Sequence, residues 1–392
     1  MERIDTRCCI VGGGPAGLML GHLLARAGVD VVVLERDGDF TSDHRGDLVH
    51  SSTLDVLAEL GLLDGLLALP HVTLREIRAR VGRRDIPLAD FSGAGARCQF
   101  VVLMRQADFL GYLAEKSKPL ASFHLRMHAE VNGLVEEASV VGVRAKTPRG
   151  QLEVRADLVV GCDGRHSAVR ARAGLRAIEV AEPHDVVWVR LSKRDRDPPP
   201  ALGFFDSGRA LVVFDRGDHW QCGLVVRKGE LDQMKPRGVQ AFRREIGDVA
   251  PFLRNRLEEI RVWDDTRTTA VRMDRLVRWW RPGLLCIGDA AHAMSPIGGV
   301  GVNLAIQDAV AAANVLGKPL EKRHLTNAHL EAVQRRRALP TRITQDLQAL
   351  ATKRTLIRSA IMLERVPWLR RIPGRFIGVG LRPEHVHEIE RN

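Results

Sequence analysis

The sequence predicts an α/β fold: a parallel-sheet domain, a second β-sheet domain interleaved with it, and a helical segment at the C-terminus. Three observations predict it. The first 35 residues run as strand, glycine-rich turn, helix, strand and acidic residue. Apolar strand-like stretches running into glycine recur at 156–164 and 284–288. Between about 181 and 271 the pattern is largely that of short strands separated by turns. A chain of 392 residues can bury the cores of two intimately joined domains. The expected partition is discontinuous: 1–71, 104–180 and 272–340 for the nucleotide-type domain, 72–103 and 181–271 for a substrate domain, and 341–392 as a helical tail.

Residues Ile4 to Val11 are apolar and β-branched, as in a buried strand, and Pro15 to Ala27 form a helix with proline in its first turn. In the turn Val11-Gly-Gly-Gly-Pro-Ala-Gly17, Gly12 permits the tight bend and Gly14 lets the backbone approach a pyrophosphate. Gly17 lets the helix pack closely on the strand. The helix start at Pro15 and Ala16 then receives the negative charge. A second strand, Val29 to Leu34, ends in Glu35, 18 residues after Gly17, where a carboxylate can accept from ribose hydroxyls. A glycine-rich turn without a ligand is the plain alternative, and the ordered context weighs against it.

After a polar loop to Val49, a helix is expected from about Ser52 to Leu60, capped by Ser51 or Ser52 and stopped by Gly61. Short alternating runs from Val72 to Leu103 read as an excursion into a second sheet. Gln106 to Lys116 returns to helical spacing, and Ala156 to Cys162 is a buried strand leading into Asp163-Gly164. In the second domain, Ala210–Phe214 and Trp220–Val226 form a hairpin, Pro198-Pro-Pro200 marks a loop, and 237–259 is mostly helical. Leu284 to Ile287 is a short buried strand aimed at Gly288-Asp289, followed by a helix from Asn303 to Leu316. In the last helix, Ile343, Leu347, Leu350, Ile357 and Ile361 line one apolar face, expected to pack against the body; contact with a membrane surface or partner is the lesser alternative.

The composition, 45% hydrophobic and 27% charged, is that of an ordinary globular protein. The net charge of +11 comes without an aromatic-rich binding motif, so anionic dinucleotides and an acidic substrate explain it better than nucleic acid. The six cysteines show neither CxxC nor zinc spacing, which suits reduced core thiols and no metal site. The N-terminus enters the first strand without an apolar export segment, and no apolar run approaches ~18 residues. A cytoplasmic protein with no integral membrane segment is therefore expected. Monomer and homodimer both stay open.

Three elements carry a resemblance: the glycine turn; Cys162-Asp-Gly164 with Arg165-His-Ser-Ala-Val-Arg170; and Gly288-Asp-Ala-Ala-His292 with Pro296 and Gly298-Gly-Val-Gly-Val-Asn303. Together they resemble the group A FAD-dependent aromatic monooxygenases, the para-hydroxybenzoate hydroxylase-like family, over roughly residues 3–340. The resemblance implies a Rossmann-like FAD-binding domain. In it Asp289 binds the ribityl chain, Pro296 lines the substrate side of the isoalloxazine, and Gly299, Gly301, Val302 and Asn303 hold its pyrimidine edge. It also implies that Arg45 reaches the FAD phosphates from a loop, that Arg36, Arg105, Gln106 and Val131 lie along the cofactor, and that Asp163 and Gly164 serve FAD and the pyridine nucleotide. NAD(P)H then docks transiently, since no second dinucleotide fold is visible.

Two departures from the family stand out. Val300 occupies a place where the family often has glutamine, and the chain has a single tyrosine, Tyr112, so the tyrosine relay of the type member cannot be copied. His44, His50 and His219 are the candidate bases, with His50 preferred because it follows the Arg45 loop at a helix start; each has packing or surface exposure as its plain reading. His292 belongs to the third motif and reads as structural.

The resemblance thus implies an NAD(P)H- and O2-consuming monooxygenase that hydroxylates an aromatic or polyketide-like small molecule through a flavin C4a-hydroperoxide. Rival readings are a flavin-dependent halogenase or prenyl reductase on the same scaffold, and a flavin-binding redox sensor that does not turn over. Trp279-Trp280 is followed by Arg-Pro-Gly, so the Trp-x-Trp-x-Ile-Pro signature of tryptophan halogenases is absent.

Overall fold

The computed structural model describes residues 2–40, 46–82, 84–93, 95–180, 182–197, 203–206, 209–350, 362–363 and 365–387. Arg45, His44, Ile357, Ile361 and 198–200 lie outside them. Strand β1 (Glu2–Val11) pairs in parallel with β2 (Val31–Leu34) on one side and with Gly150–Gly161 on the other. Phe123–Arg126 extends the sheet beyond β2, and Leu284–Cys286 extends it beyond Gly150–Gly161, both in parallel. The buried halves of these strands are runs such as Cys8-Cys-Ile-Val11 and Val31-Val-Val-Leu34, apolar on both faces, as expected for a sheet covered on both sides. Helix α1 (Pro15–Arg26) follows β1, buries ten of its residues, and ends at Gly28, whose φ of +80° reverses the chain.

The register aligns the strand ends. Val11 pairs with Leu34 and with Gly161, and Gly161 pairs with Cys286. Four consecutive strands therefore finish in one row, and the residues just beyond are Gly12, Glu35, Cys162-Asp163 and Ile287-Gly288-Asp289. Motifs separated by up to 277 positions emerge from one carboxyl edge, where open parallel sheets bind ligands.

A second, seven-stranded sheet runs in the order Arg267–Thr269, His184–Ser192, His219–Arg227, Arg209–Asp215, Gly203–Asp206, Glu76–Val81, Arg84–Asp90. The expected hairpin is present, with Phe214 opposite Gln221. Its helical cover is Val239–Val249, continued after Ala250 by a 3-10 stretch, Pro251–Glu259. The segment expected as 72–103 divides between sheets. Its ends, Val72–Leu74 and Val101–Arg105, join Gly46–Val49 in a small three-stranded sheet, and only Glu76–Asp90 enters the seven-stranded one.

Helix Val300–Glu321 is long and apolar enough to cross a membrane by composition, but 72% of its apolar window is buried in the protein, as in a core helix. Two expectations for the C-terminal region need correction. Helix Asn327–Leu350 passes through Pro340 without a break, so no boundary falls at 340/341. Its apolar face does not pack on the body either: Ile343, Leu347 and Leu350 are 36%, 45% and 67% exposed. The first turns bury Leu330 and Val333 in the core, but from Arg337 onward the buried side is Arg337, Pro340, Thr341, Thr344, Gln345 and Gln348, and the last two of these meet backbone carbonyls. Gln345 Nε2 donates to the carbonyls of Asp274 (2.8 Å) and Ala293 (2.9 Å), and Gln348 Nε2 to those of Ser295 (2.9 Å) and Ile297 (2.7 Å). Carbonyls buried in this way need amide donors, which alkyl side chains cannot supply.

Candidate active site

The glycines of the first turn divide by what surrounds them. A Cβ on Gly12 would sit 2.4 Å from the Cys162 carbonyl oxygen, and one on Gly17 would sit 1.9 Å from that of Gly12. Both are required by the protein's own packing. A Cβ on Gly14 would meet no protein atom within 4 Å. The absence of a side chain there serves no internal contact, and the open face lies at the start of α1, where Gly14 leads into Pro15 and the buried Ala16. A pyrophosphate fits that cradle.

Glu35 closes the turn from the neighbouring strand. Its Oε2 accepts from the Gly13 amide (2.6 Å) and its Oε1 from the Asp37 amide (3.0 Å), so the side chain holds the turn. Val131 sits in Glu130–Glu136, two residues after Ala129, whose amide donates to the Glu35 carbonyl. Arg36 is exposed beside Asp37. Asp163 Oδ2 accepts from the Val169 amide (3.1 Å), while its Oδ1 is buried with no protein partner. Burial raises the pKa of this carboxyl. An orphaned buried oxygen beside the glycine turn suits a ligand hydroxyl. Gly164 next to it has φ +79°.

In the third element, Asp289 is about one quarter exposed, and Arg165 Nη2 approaches its Oδ2 at 3.4 Å. Gly298 and Gly299 both have positive φ, +78° and +62°, which turns the chain after Pro296 into helix 300–321. The amides of Val300, Gly301 and Val302 thus begin a helix and have no carbonyl partner earlier within it. Asn303, one turn in, is buried. Its Oδ1 accepts from Ser52 Oγ (2.9 Å) and Thr53 Oγ1 (2.6 Å) of helix α2 (Ser51–Glu59).

His50, the residue before α2, is fully buried. Its Nδ1 donates to the Ile377 carbonyl (2.7 Å), and Nε2 has no hydrogen-bond partner. Burial pushes its pKa down to about 4, against the opposing pull of the Ile377 and Gly298 carbonyls. At neutral pH the ring is uncharged and Nε2 is an acceptor. Its pKa is too low for an efficient general base near pH 7, which corrects the expectation drawn from an unperturbed histidine. His219 sits in the second-sheet hairpin against Asp218 (2.6 Å). Tyr112 donates to the Leu62 carbonyl (2.7 Å) and is structural. Arg105 is largely exposed and bound at two atoms by Asp108, while Gln106 is buried at the start of the next helix.

One buried cluster escaped sequence reasoning. Asp308 Oδ2 accepts from His292 Nε2 (2.6 Å) and from the Gly288 amide (3.1 Å), and its Oδ1 accepts from Arg337 Nε (3.0 Å). Burial acts to raise the Asp308 pKa, but His292 and Arg337 outweigh it and hold the carboxyl below its usual range. Arg337 also reaches Glu384 (3.5 Å), which binds Arg336. A single carboxylate thus fixes the backbone just before Asp289 to two helices and the C-terminal segment. The signal was present in the sequence: Asp308 is the one ionisable residue in the small, apolar run from Val300 to Leu316.

The chain matches the FAD-binding domain family over residues 5–346 and belongs to that family. It is a flavoprotein monooxygenase with FAD as cofactor and NAD(P)H and O2 as co-substrates. It is 32% identical over 383 residues to 6-methylpretetramide 4-monooxygenase of Streptomyces rimosus, covering 94% of this chain and 91% of that protein. The OxyS anhydrotetracycline hydroxylase from Streptomyces rimosus has a similar structure, with a TM-score of 0.75 at 25% identity over 96% of this chain and 76% of that one. The flavin-dependent brominase Bmp2 shares the fold, with a TM-score of 0.80 at 17% identity over 95% and 93% of the two chains.

Proposed function

We propose that the chain hydroxylates a polycyclic aromatic polyketide and binds FAD along the carboxyl edge of its parallel sheet. The observation that carries the cofactor placement is the face of Gly14, open where its two companion glycines are closed by protein. The substrate class is supported by the 32% identity to a monooxygenase named for 6-methylpretetramide.

In this reading Gly12, Gly14, Pro15, Ala16 and Gly17 cradle the pyrophosphate. Glu35 accepts from a ribose, with Arg36, Arg105, Gln106 and Val131 along the adenosine half and Arg45 on the phosphates. Asp163, through its unpartnered Oδ1, and Gly164 serve the central part, and Asp289 holds the ribityl hydroxyls. The unpaired helix-start amides of Gly301 and Val302 stabilise negative charge at the pyrimidine edge, with Gly299 and Asn303 fixing the backbone on either side of them. FAD, when bound, supplies hydride acceptance from NAD(P)H and the activation of O2. The protein supplies position and dryness: Pro296 borders the substrate side, and neutral His50 accepts a substrate hydroxyl at Nε2 and orients it. A cytoplasmic location belongs to the same reading, supported by six free cysteines.

The test is NAD(P)H oxidation by the FAD-loaded protein with polycyclic aromatic polyketides, scored by product mass. One added oxygen supports hydroxylation; halide-dependent products would support the brominase-like alternative that the shared fold raises. His50→Ala should keep FAD bound while product per NAD(P)H falls and hydrogen peroxide rises. Unchanged coupling would remove His50 from the substrate site.

A further inference from the structure

The charge of this protein is concentrated in one stretch. From Arg335 to Arg375 there are eleven arginines and lysines against two acidic residues, so 41 of the 392 positions account for +9 of the net +11. Arg336 and Arg337 turn inward to Glu384 and Asp308. Others, including Arg342, Arg365, Arg371 and Arg375, are exposed.

Large apolar side chains are exposed in the same stretch. On helix 327–350, Leu339, Ile343, Leu347 and Leu350 follow one another at spacings of four, four and three and form a stripe opposite the buried glutamines. Beyond it, Met362, Trp368 and Ile372 are 52%, 66% and 60% exposed, the last two about one turn apart beside Arg371 and Arg375. Seven of the ten large hydrophobic residues exposed among the described residues fall here.

We propose that these exposed basic and apolar elements of the C-terminal region dock the enzyme on an anionic lipid bilayer. Aliphatic side chains and a tryptophan interspersed with arginines match the interfacial region, where apolar groups enter the acyl boundary and guanidinium groups meet phosphates. A second copy of the chain is the poorer occupant, because two such faces would bring like charge together. An acidic protein would match the charge, but the apolar residues lie on outward faces of single helices and not in a groove shaped for a partner; a fluid surface accommodates such faces without complementarity. Both elements also end at the candidate active site, through Gln348 on Ser295 and Ile297 and through Ile377 on His50. The proposal depends on no reading of the substrate.

The experiment is flotation of the FAD-loaded full-length protein with phosphatidylglycerol-rich or pure phosphatidylcholine vesicles at low and high salt. Expected is at least about tenfold stronger binding to the anionic vesicles, lost at high salt. Trp368→Ala with Ile372→Ala, and separately Arg365→Gln with Arg371→Gln and Arg375→Gln, should each weaken binding. FAD content and thermal stability should not change, since all five side chains are exposed. Equal binding to both vesicles, or variants that float like the wild type, would overturn the proposal. So would vesicle-independent dimerisation abolished by the same substitutions, or tight binding to an acidic protein with no binding to vesicles.

Discussion

The carboxyl edge of the parallel sheet and the helix 327–350 that braces it obey opposite rules. At the edge, the sequence constraint falls on the backbone: Gly12 and Gly17 are glycine because a Cβ would overlap carbonyl oxygens. On the later turns of the brace, the constraint falls on side chains that must satisfy the edge's own loops, so Gln345 and Gln348 face inward and Leu347 and Leu350 outward. Hydrophobic periodicity presumes an apolar partner, and it misleads where a helix packs on exposed peptide groups.

The largest effect should come from testing the edge against itself. Gly17→Val places atoms on the Gly12 carbonyl and should leave little folded protein. Gly14→Val meets open space and should fold normally yet take up no FAD, because its side chain fills the phosphate cradle. Circular dichroism and retained flavin after desalting separate the two. A Gly14→Val protein holding stoichiometric FAD would show that the open face serves something else.

Asp308 joins the two regions, and its removal should cost nearly as much. Asp308→Ala leaves buried Arg337 with only the more distant Glu384 as a carboxylate partner and frees His292 and the Gly288 amide. Breaking one partner of a buried pair costs about 3–5 kcal/mol. Denaturant unfolding measures this, and flavin fluorescence should report a loosened site even where the protein stays folded. A loss under about 1 kcal/mol would mean that Glu384 alone carries the arginine.

The brace itself provides a paired test. Gln348→Leu strips partners from the Ser295 amide and carbonyl and the Ile297 carbonyl, and should cost at least about 3 kcal/mol at roughly 1–3 per unsatisfied buried group. Leu347→Gln, one residue earlier on the exposed face, should change stability by less than about 0.5 kcal/mol. If Leu347→Gln were the costlier, the helix would be packed the other way round.

What could be read in advance follows the same division. The turn, both flanking strands, Glu35, Asp163 and the 288–303 element were legible because each is local and glycine or an acid marks it. Their convergence was not, since the row Leu34, Val11, Gly161, Cys286 depends on strand register between distant segments. His50 was located by its motif, but not its neutrality, which comes from full burial and prevails over the opposing pull of the Ile377 carbonyl, 327 positions away. The small sheet joining 46–49, 72–74 and 101–105 was missed because three short strands carry too little alternation to show which sheet they enter.

The smallest predicted effect concerns pH and compares a histidine in each setting. His22 lies within α1 against Ser117 (3.0 Å), wholly inside the nucleotide domain, while His50 depends on the C-terminal segment for its one hydrogen bond. Burial depresses both pKa values to about 4, from an ordinary value near 6.5. Above about pH 6.5 both rings are neutral, folded or unfolded, and neither affects the pH dependence. As pH falls toward 4 only the unfolded chain takes up the protons, so stability is lost across that window, by about 2 kcal/mol per histidine at pH 5. Urea unfolding at pH 7.5 and pH 5 should show the loss, and His22→Gln and His50→Gln should each recover their share of the difference. Shortening the chain before Ile377 should diminish the share of His50 and leave that of His22 intact, because opening the C-terminal contact admits water only to His50. If the truncated protein kept both shares, His50 would be sealed by α2 and the 298–303 turn alone, and the C-terminal segment would have no part in keeping that ring neutral.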